Sequence, residues 1–178
     1  MAKMIPSVLS PDIKSAAEKH IFSWFRDDPR TDDWIVLHSL GIANHKTVIH
    51  GETDFFVLAP KMGVFALEVK GGRVRRSDGV WSFTNRYGNV DTKERGPFDQ
   101  AWDGIHSIVD DLKKKLDSAH QHLKNVFYGI GVMFPDVEYI TVGCDEEQWQ
   151  VFDCNDGNNV YDYIKRIFVG ACEKWYAI

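Results

Sequence analysis

The sequence predicts an α/β domain in which helices flank a mixed β-sheet. Two long segments, residues 11–26 and 97–126, carry apolar side chains at helical spacing, and several shorter apolar runs are rich in β-branched and aromatic residues. A chain of 178 residues is long enough for one hydrophobic core and short for two. We therefore expect one domain over residues 1–178, with a core at about 11–134 and a C-terminal helix at about 159–176.

The net charge and the apolar pattern exclude some classes of function. The formal net charge of −5 argues against nucleic-acid binding through general basicity, because proteins bind phosphates mainly through Lys and Arg. An enzyme acting on nucleic acid remains open, since a metal ion held by carboxylates supplies positive field. No apolar run approaches the roughly 20 residues that span a bilayer, and residues 1–10 lack the apolar stretch of a secretory signal. We therefore expect no membrane partner.

The cysteines indicate the redox compartment. Cys144, Cys154 and Cys172 are odd in number and show neither a CxxC pair nor a dense disulfide pattern. We interpret them as core thiols of a protein in a reducing compartment, and we expect the protein to be cytoplasmic. His38 lacks ligand spacing to any of them, and we interpret it as a structural or surface residue.

The first predicted helix spans residues 11–26. Ser10 is a suitable N-cap, Pro11 suits the first helical position, and Asp12 suits the first turn. Apolar side chains then recur at helical spacing until the segment DDPRTDD ends the helix. The β-rich run WIVLHSL predicts the first strand, and the following GIANHKTVIHG predicts a loop or the start of the next strand.

Two β-like runs, ETDFFVLAP and GVFALEVKGG, are joined by a short turn that contains proline and glycine. This arrangement predicts an antiparallel hairpin. If residues 60–62 form the loop, Ala59 pairs directly with Gly63.

The parity of this hairpin places three charged side chains together. Counting back from the loop puts Asp54 opposite Glu68, and Lys70 shares a face with Glu68 because side chains two apart on a strand point the same way. The Cβ atoms of directly opposed residues are about 5 Å apart. The three side chains are therefore predicted to converge, whereas a loop of even length would put Asp54 on the wrong face.

The remaining elements follow in order. Residues 79–84 predict a short strand, and the polar residues 85–96 predict a connection. Proline at the first position and a long apolar stripe predict a helix over 97–126. Residues 127–134 predict another buried strand, and CNDGNN predicts a turn before the final helix.

Asp54, Glu68 and Lys70 have the residue types that metal-assisted phosphodiester hydrolysis requires. Carboxylate oxygens are the ligands that Mg²⁺ prefers, and a lysine one pleat away can stabilise charge that develops on a phosphate. The same three residues also fit a cross-strand salt bridge at a solvated end of the sheet. The pattern D-x(n)-E-x-K is short and has many chance matches, so both interpretations stay open on spacing alone.

Three separated motifs, HGETDFFVL, GVFALEVKGGRV and GPFDQA, occur in the chain in this order. Over about residues 11–126 the chain resembles the NERD (nuclease-related) domain, a branch of the PD-(D/E)XK nuclease superfamily. The motif of this family includes D-x(n)-E-x-K and a glutamine on a later helix. Residues 127–178 carry no resemblance of this kind.

The resemblance implies a restriction-endonuclease-like core and a Mg²⁺-dependent or Mn²⁺-dependent nuclease site, with DNA as the expected substrate. By matching position, Asp54 and Glu68 are the implied metal ligands and Lys70 is the implied catalytic lysine. Glu18 matches the helix carboxylate that faces this site in many members of the superfamily. Gln100 matches the glutamine of the family and would position water or substrate.

The chain departs from a related pattern at one position, and the resemblance also implies partners. Gly104 stands where the related exonuclease pattern QxxxY has tyrosine. Proteins that this chain resembles are often fused to helicase or kinase domains. The resemblance therefore implies a fused or associated helicase as a partner and DNA repair or defence as the context.

Locally basic residues follow the hairpin and are candidates for contact with a nucleic-acid backbone. They are Arg73, Arg75, Arg76 and Lys93. Trp81 or Tyr87 would stack on bases beside them. A solvated hairpin edge explains the same residues equally well.

Two other functions remain open from the sequence. One is a catalytically silent nucleic-acid-binding module that keeps a nuclease fold. The other is a protein-interaction domain whose acidic surface recruits a partner enzyme.

Overall fold

The computed structural model describes residues 1–42 and 51–175. The helices in these ranges are α1 (Ala16–Asp27), α2 (Pro97–Lys115) and α3 (Val160–Trp175). The strands are β1 (Lys3–Ile5), β2 (Ile35–Ile42), β3 (Gly51–Ala59), β4 (Gly63–Val69), β5 (Arg73–Ser77), β6 (Val80–Thr84), β7 (Val90–Lys93), β8 (Tyr128–Phe134) and β9 (Val151–Asp153). The predicted loop or strand start after Leu40 falls mostly on residues 43–50, outside the described residues, as does residue 176 of the predicted final helix.

The strands form one mixed sheet and one small antiparallel sheet. The large sheet has the order β1-β2-β3-β4-β8-β9. Strands β2, β3 and β4 are antiparallel neighbours, whereas β1 runs parallel to β2, and β8 runs parallel to both β4 and β9. The small sheet has the order β5-β6-β7. The predicted α/β class with a mixed sheet flanked by helices is confirmed, and the architecture is consistent with a nuclease-like core.

The large sheet is covered on both faces. Along β4, Phe65 and Leu67 pack with Phe25 of α1 and Tyr163 of α3 in one apolar cluster. The alternate residue Ala66 packs in a second cluster with α2 and the small sheet. A strand buried on both faces reads as a continuous apolar run, which is why GVFALEV was recognisable as a strand.

Helix α1 begins later than predicted. The Ser15 hydroxyl accepts a hydrogen bond from the backbone N–H of Glu18 at 3.2 Å and caps the helix. The Ser10 hydroxyl instead accepts from the backbone N–H of Asp12 at 3.3 Å and closes a turn. The predicted start at residue 11 is therefore wrong. Two serines offered a capping oxygen, and the helix uses the one directly before its buried face, which starts at Ala17.

Helix α2 ends earlier than predicted. It stops at Lys115, Leu116 is extended, and residues 118–125 form 3-10 turns. The Asp117 side chain accepts hydrogen bonds from the backbone N–H groups of Ala119 and His120 and so starts a new segment. The predicted continuation to residue 126 is wrong: the apolar spacing continues past Lys115, but Asp117 caps a new 3-10 segment and the α-helix stops before it. Within the described ranges, no helix is both long and apolar enough to cross a membrane.

The turn between β3 and β4 has the predicted length. The Met62 N–H donates to the Ala59 carbonyl at 3.1 Å, and Pro60 and Lys61 are the central residues of the turn. Lys61 has a φ of +68°, as the third position of a type II turn requires. Ala59 pairs with Gly63, so the predicted three-residue loop is confirmed.

Four strands and the cysteine environments differ from expectation. Strands β1, β5, β7 and β9 were not predicted, because each is short and shows little apolar alternation.

Cys144 and Cys154 are exposed and Cys172 is partly exposed, so the interpretation of the cysteines as core thiols is wrong.

Candidate active site

The hairpin of β3 and β4 brings Asp54 and Glu68 to one end of the large sheet. Regular pairing of the hairpin ends at Phe55 and Leu67, and the next position on each strand is a carboxylate. Phe56, two residues along β3 from Asp54, packs in the cluster on the α2 face of the sheet. Because side chains alternate along strands, both carboxylates belong to that face. The predicted register of the hairpin is confirmed.

Asp54 lies where sheet pairing is interrupted on both sides. In β2, the register places Ser39 opposite Asp54, but the two make no regular pair, and Ser39 has a φ of +52°. On the other side, the backbone N–H of Val69 donates to Asp54 Oδ2 at 2.7 Å, where a continuing ladder would offer a carbonyl of β3. The Asp54 side chain therefore replaces a backbone partner, and its orientation is determined by the main chain of β4.

The two carboxyl groups share a buried environment that disfavours negative charge. Burial, and after it the charge of Glu68, raises the pKa of Asp54 to about 8. Burial also raises the pKa of Glu68, whose residue is 6% exposed. A cation at this position would reverse both effects, because it supplies the positive charge that favours ionised carboxylates.

Lys70 is held beside this pair as a cation. Its ammonium donates to Glu68 Oε1, and its backbone N–H donates to the Met133 carbonyl of β8 at 2.9 Å. Burial alone would lower the pKa of Lys70, but the charges of Glu68 and Asp54 outweigh it and raise the pKa. The lysine is therefore protonated at neutral pH and available as a point charge.

Glu18 approaches the end of β4 from α1. A Cβ atom added to Gly71, two residues after β4, would lie 3.1 Å from the Cβ atom of Ala17, so α1 passes directly beside this end of the sheet. Glu18 Oε2 lies 3.1 Å from Nε2 of the buried His38. Burial would raise the pKa of Glu18, but hydrogen bonds from His38 and Ser15, with the charges of His38 and Lys70, lower it. Glu18 is therefore a third carboxylate near Lys70, and its surroundings, unlike those of Asp54 and Glu68, favour the ionised form.

The donor set fits a hard divalent ion. Asp54 uses Oδ2 for Val69, Glu68 uses Oε1 for Lys70, and among the described residues the other oxygen of each carboxylate accepts no hydrogen bond. Carboxylate oxygens are preferred ligands of Mg²⁺, which commonly keeps several waters. No group of three or more His, Cys, Asp or Glu side chains at ligand spacing occurs in the described part of the chain. Asp54 and Glu68 are the residues of this site that could hold such an ion, with water completing its coordination.

Gln100 lies in the first turns of α2, on the helix face that covers the sheet. It precedes the buried Gly104 by one turn, and residues four apart share a helix face. The side chain is partly buried, and within the described residues it makes no hydrogen bond to Asp54, Glu68 or Lys70. The structure therefore brings Asp54, Glu68 and Lys70 together and leaves Gln100 outside their hydrogen bonds.

The four predicted cationic residues do not form one patch. Arg73 and Arg75 lie on the exposed face of the small sheet. Arg76, on the opposite face, pairs with Asp145 and with the buried Glu146. Lys93 shares the face of Arg76 and pairs with Asp91 at 3.3 Å, and its charge, after that of Lys70, opposes the rise in the pKa of Glu68 that burial causes.

The two aromatic residues proposed to stack on bases have different environments. Trp81 is 2% exposed and packs against Phe98 and Phe134, so the expectation that it stacks on a base is wrong. Its position on the inner face of β6 explains its burial, because that face lies on α2 and β8. Tyr87 is 74% exposed at the turn between β6 and β7, with the Arg86 guanidinium over its ring.

Two residues near the site were not predicted to contribute. His38 was interpreted only as structural or surface, yet its ring nitrogen Nε2 lies 3.1 Å from Glu18 Oε2. The available signal was its position two residues after the apolar Val36, on the same face of β2. Asp136 Oδ2 accepts a hydrogen bond from the Gly72 N–H at 2.7 Å. Asp136 follows β8, which runs parallel to β4, so the ends of both strands meet at one edge. That pairing of strands was the signal that local sequence could not supply.

Comparison with known protein families assigns the chain to one family. A family model for the nuclease-related domain (NERD) matches residues 13–135. The chain belongs to this family and has its nuclease-related fold. A search of curated proteins gave no significant match, and a search of solved structures gave none either.

Proposed function

We propose that this chain is a metal-dependent nuclease domain that hydrolyses phosphodiester bonds in nucleic acid, with DNA as the substrate. One observation carries the proposal. At the shared end of β3 and β4, two buried carboxyl groups lie beside a protonated lysine, and each carboxylate keeps one oxygen without a hydrogen-bond partner among the described residues. Membership of a nuclease-related family supports the same reaction class.

Asp54 and Glu68 are the residues that would hold Mg²⁺ or Mn²⁺. When bound, the ion would stabilise negative charge on the phosphate and lower the pKa of a bound water. The Val69 N–H donates to Oδ2 and keeps the Asp54 carboxylate in one orientation, which leaves Oδ1 as the oxygen that could contact the ion. Because its own pKa is raised, Asp54 would release its proton when the ion binds.

Lys70 would stabilise the transition state as a point cation. Water attacks phosphorus, the bond to the leaving oxygen breaks, and negative charge builds on the phosphate oxygens. A preorganised cation at that position stabilises the developing negative charge more strongly in a partly buried site than in water. Glu18, oriented by His38, would keep Lys70 protonated and accept a hydrogen bond from water, and Gln100 would orient water or substrate from α2.

The test is cleavage of linear and circular DNA, single-stranded and double-stranded, with Mg²⁺, Mn²⁺ or EDTA. Lys70→Ala and Asp54→Ala are compared with Lys61→Ala and Asp33→Ala, which remove the same residue types at the turn end of the hairpin. We expect metal-dependent cleavage that falls at least about 100-fold in the first pair and is unchanged in the second. Cleavage of circular DNA identifies an endonuclease.

One outcome would contradict the proposal. If the wild-type chain binds DNA but does not cut it with either metal, and binding is the same in all four variants, the chain is a silent binding module instead.

The proposal extends to the working context of the domain. We place it in the cytoplasm, in DNA repair or defence, beside a fused or associated helicase. Resemblance to the family is the support for this part. Tagged wild-type chain recovered from its native cells should carry ATP-dependent duplex-unwinding activity, and its absence from repeated preparations would count against the helicase.

A further inference from the structure

The exposed face of the small sheet has an unusual composition for a chain of net charge −5. We call this surface the outer face. Cross-strand pairing assigns eight residues to it. They are Arg73, Arg75, Ser77, Val80, Ser82, Thr84, Val90 and Thr92. Two are cationic, four carry hydroxyl groups, and none is acidic or aromatic.

The two arginines of the outer face are available to a ligand. In the described part of the chain, neither Arg73 nor Arg75 makes an ion pair, and both are exposed. Arg76 provides the contrast within the same strand. Its guanidinium is held by Asp145 at 2.8 Å and by Glu146, and it lies over the ring of the buried Trp81. Strand β5 therefore carries one arginine held by ion pairs and two arginines that make no ion pair with the described residues.

The outer face is joined to the active site by a very short connection. Only Gly71 and Gly72 separate Lys70 from Arg73, so the Cα atoms of those two residues are at most about 11 Å apart. The connection is held in place. A Cβ atom added to Gly72 would lie 2.3 Å from the Thr84 carbonyl oxygen, and the Gly72 N–H donates to Asp136.

We propose that the outer face binds the phosphate backbone of a nucleic-acid duplex whose neighbouring phosphate lies at Lys70; this inference rests on the proposed nuclease function. Arg73 and Arg75 are two residues apart on a strand, a separation of about 7 Å, and they contact successive phosphates of one strand. The hydroxyl groups of Ser82 and Thr84 donate to phosphate oxygens beside them.

The composition of the outer face indicates which kind of nucleic acid it binds. Proteins that hold single strands combine cations with aromatic side chains on which bases stack, and this face has no aromatic side chain. A duplex presents its phosphates outwards and keeps its bases stacked, so cations and hydroxyl groups suffice. The binding is consequently independent of sequence and strongly dependent on salt.

The test measures binding without cleavage. The probe is a fluorescent 20-base-pair DNA duplex, and the dissociation constant is followed from low to high salt in EDTA, where no metal-dependent cutting occurs. Arg73→Gln with Arg75→Gln is compared with Lys61→Gln with Lys165→Gln. The control pair removes two exposed positive charges that line one depression at the turn end of the hairpin.

We expect the arginine pair to weaken duplex binding about tenfold at ~0.1 M salt and to reduce the salt slope by about 2. The lysine pair should bind like the wild type. Equal binding by both pairs, no duplex binding by the wild type, or tighter binding of the corresponding single strand would each overturn the proposal. Failure of cleavage alongside the expected binding pattern would instead contradict the nuclease function and leave this binding surface in place.

Discussion

The backbone N–H of Val69 donates a hydrogen bond to Asp54 Oδ2 at 2.7 Å, across the point where regular pairing of the β3-β4 hairpin has ended. The Asp54 carboxylate thus accepts the hydrogen bond that a backbone carbonyl of β3 would accept in a continuing ladder. The bond holds the carboxylate in one orientation and leaves its second oxygen free of hydrogen bonds from the described residues. The local end of a β-ladder is therefore what creates the candidate metal ligand.

Metal binding should stabilise the folded chain through Asp54 and Glu68. An ion that binds the native state but not the unfolded state raises the free energy of unfolding by mass action. We expect 10 mM Mg²⁺ or Mn²⁺ to raise the Tm of the wild type by several degrees at pH 7.5. Asp54→Asn and Glu68→Gln should lose this shift, whereas Asp33→Asn should keep it. A shift of equal size in all four chains would place the ion elsewhere.

The stability of the metal-free chain should depend on pH through Asp54. Burial, followed by the charge of Glu68, raises the pKa of Asp54 from 3.8 to about 8. The folded state holds this proton more tightly than the unfolded state does. The stability that this gives is fully present below about pH 4 and is lost as the pH rises through about 8.

Asp54→Asn isolates this contribution because asparagine has no proton to lose and its carbonyl can still accept from Val69. Urea unfolding in EDTA between pH 5 and 9 should show the wild type losing free energy of unfolding relative to the variant as pH rises. Parallel pH curves would mean that Asp54 ionises normally in the folded chain.

His38 should act by orienting Glu18. The His38 ring is buried between Phe22 and Phe55, with Nε2 3.1 Å from Glu18 Oε2. His38→Ala should cost about 2 kcal/mol of stability and reduce cleavage about tenfold, whereas His38→Gln, which can still donate to Glu18, should recover part of the activity. His120→Ala, an exposed control, should match the wild type. Equal activity of the alanine and glutamine variants would show that the hydrogen bond to Glu18 is unimportant.

Gly131 of β8 should be required by the packing of α3. A Cβ atom at this position would lie 2.1 Å from the Tyr163 hydroxyl and 2.7 Å from Cδ1 of Ile167. We expect Gly131→Ala to destabilise the chain by about 1–3 kcal/mol in urea unfolding. Tyr163→Phe removes the nearest clashing atom, so the double variant should lose less than the sum of the two single variants. Strict additivity would contradict direct contact between these residues.

Sequence reasoning was most successful where geometry is local. The hairpin register follows from one three-residue loop and the alternation of side chains, so the positions of Asp54 and Glu68 could be counted from Ala59 and Gly63. The starts and ends of α1 and α2 were less accessible, because several capping side chains compete and tertiary burial selects among them.

Contacts between distant segments could not be predicted from local pattern. Arg76 was interpreted as a candidate for nucleic-acid contact, yet its partners Asp145 and Glu146 lie about 70 residues further along the chain. Nothing near Arg76 distinguishes it from Arg73 or Arg75 except its parity on β5. That parity became informative only once β5 was known to be a strand with one face buried.

The turn at residues 60–62 has consequences for how this family can vary. It lies at the far end of the hairpin from Asp54 and Glu68, yet its odd length determines that the two side chains share a face. Gain or loss of a single residue there would separate the pair, unless a bulge elsewhere in the hairpin restored the register. Among relatives, insertions and deletions at this turn should therefore come in even numbers.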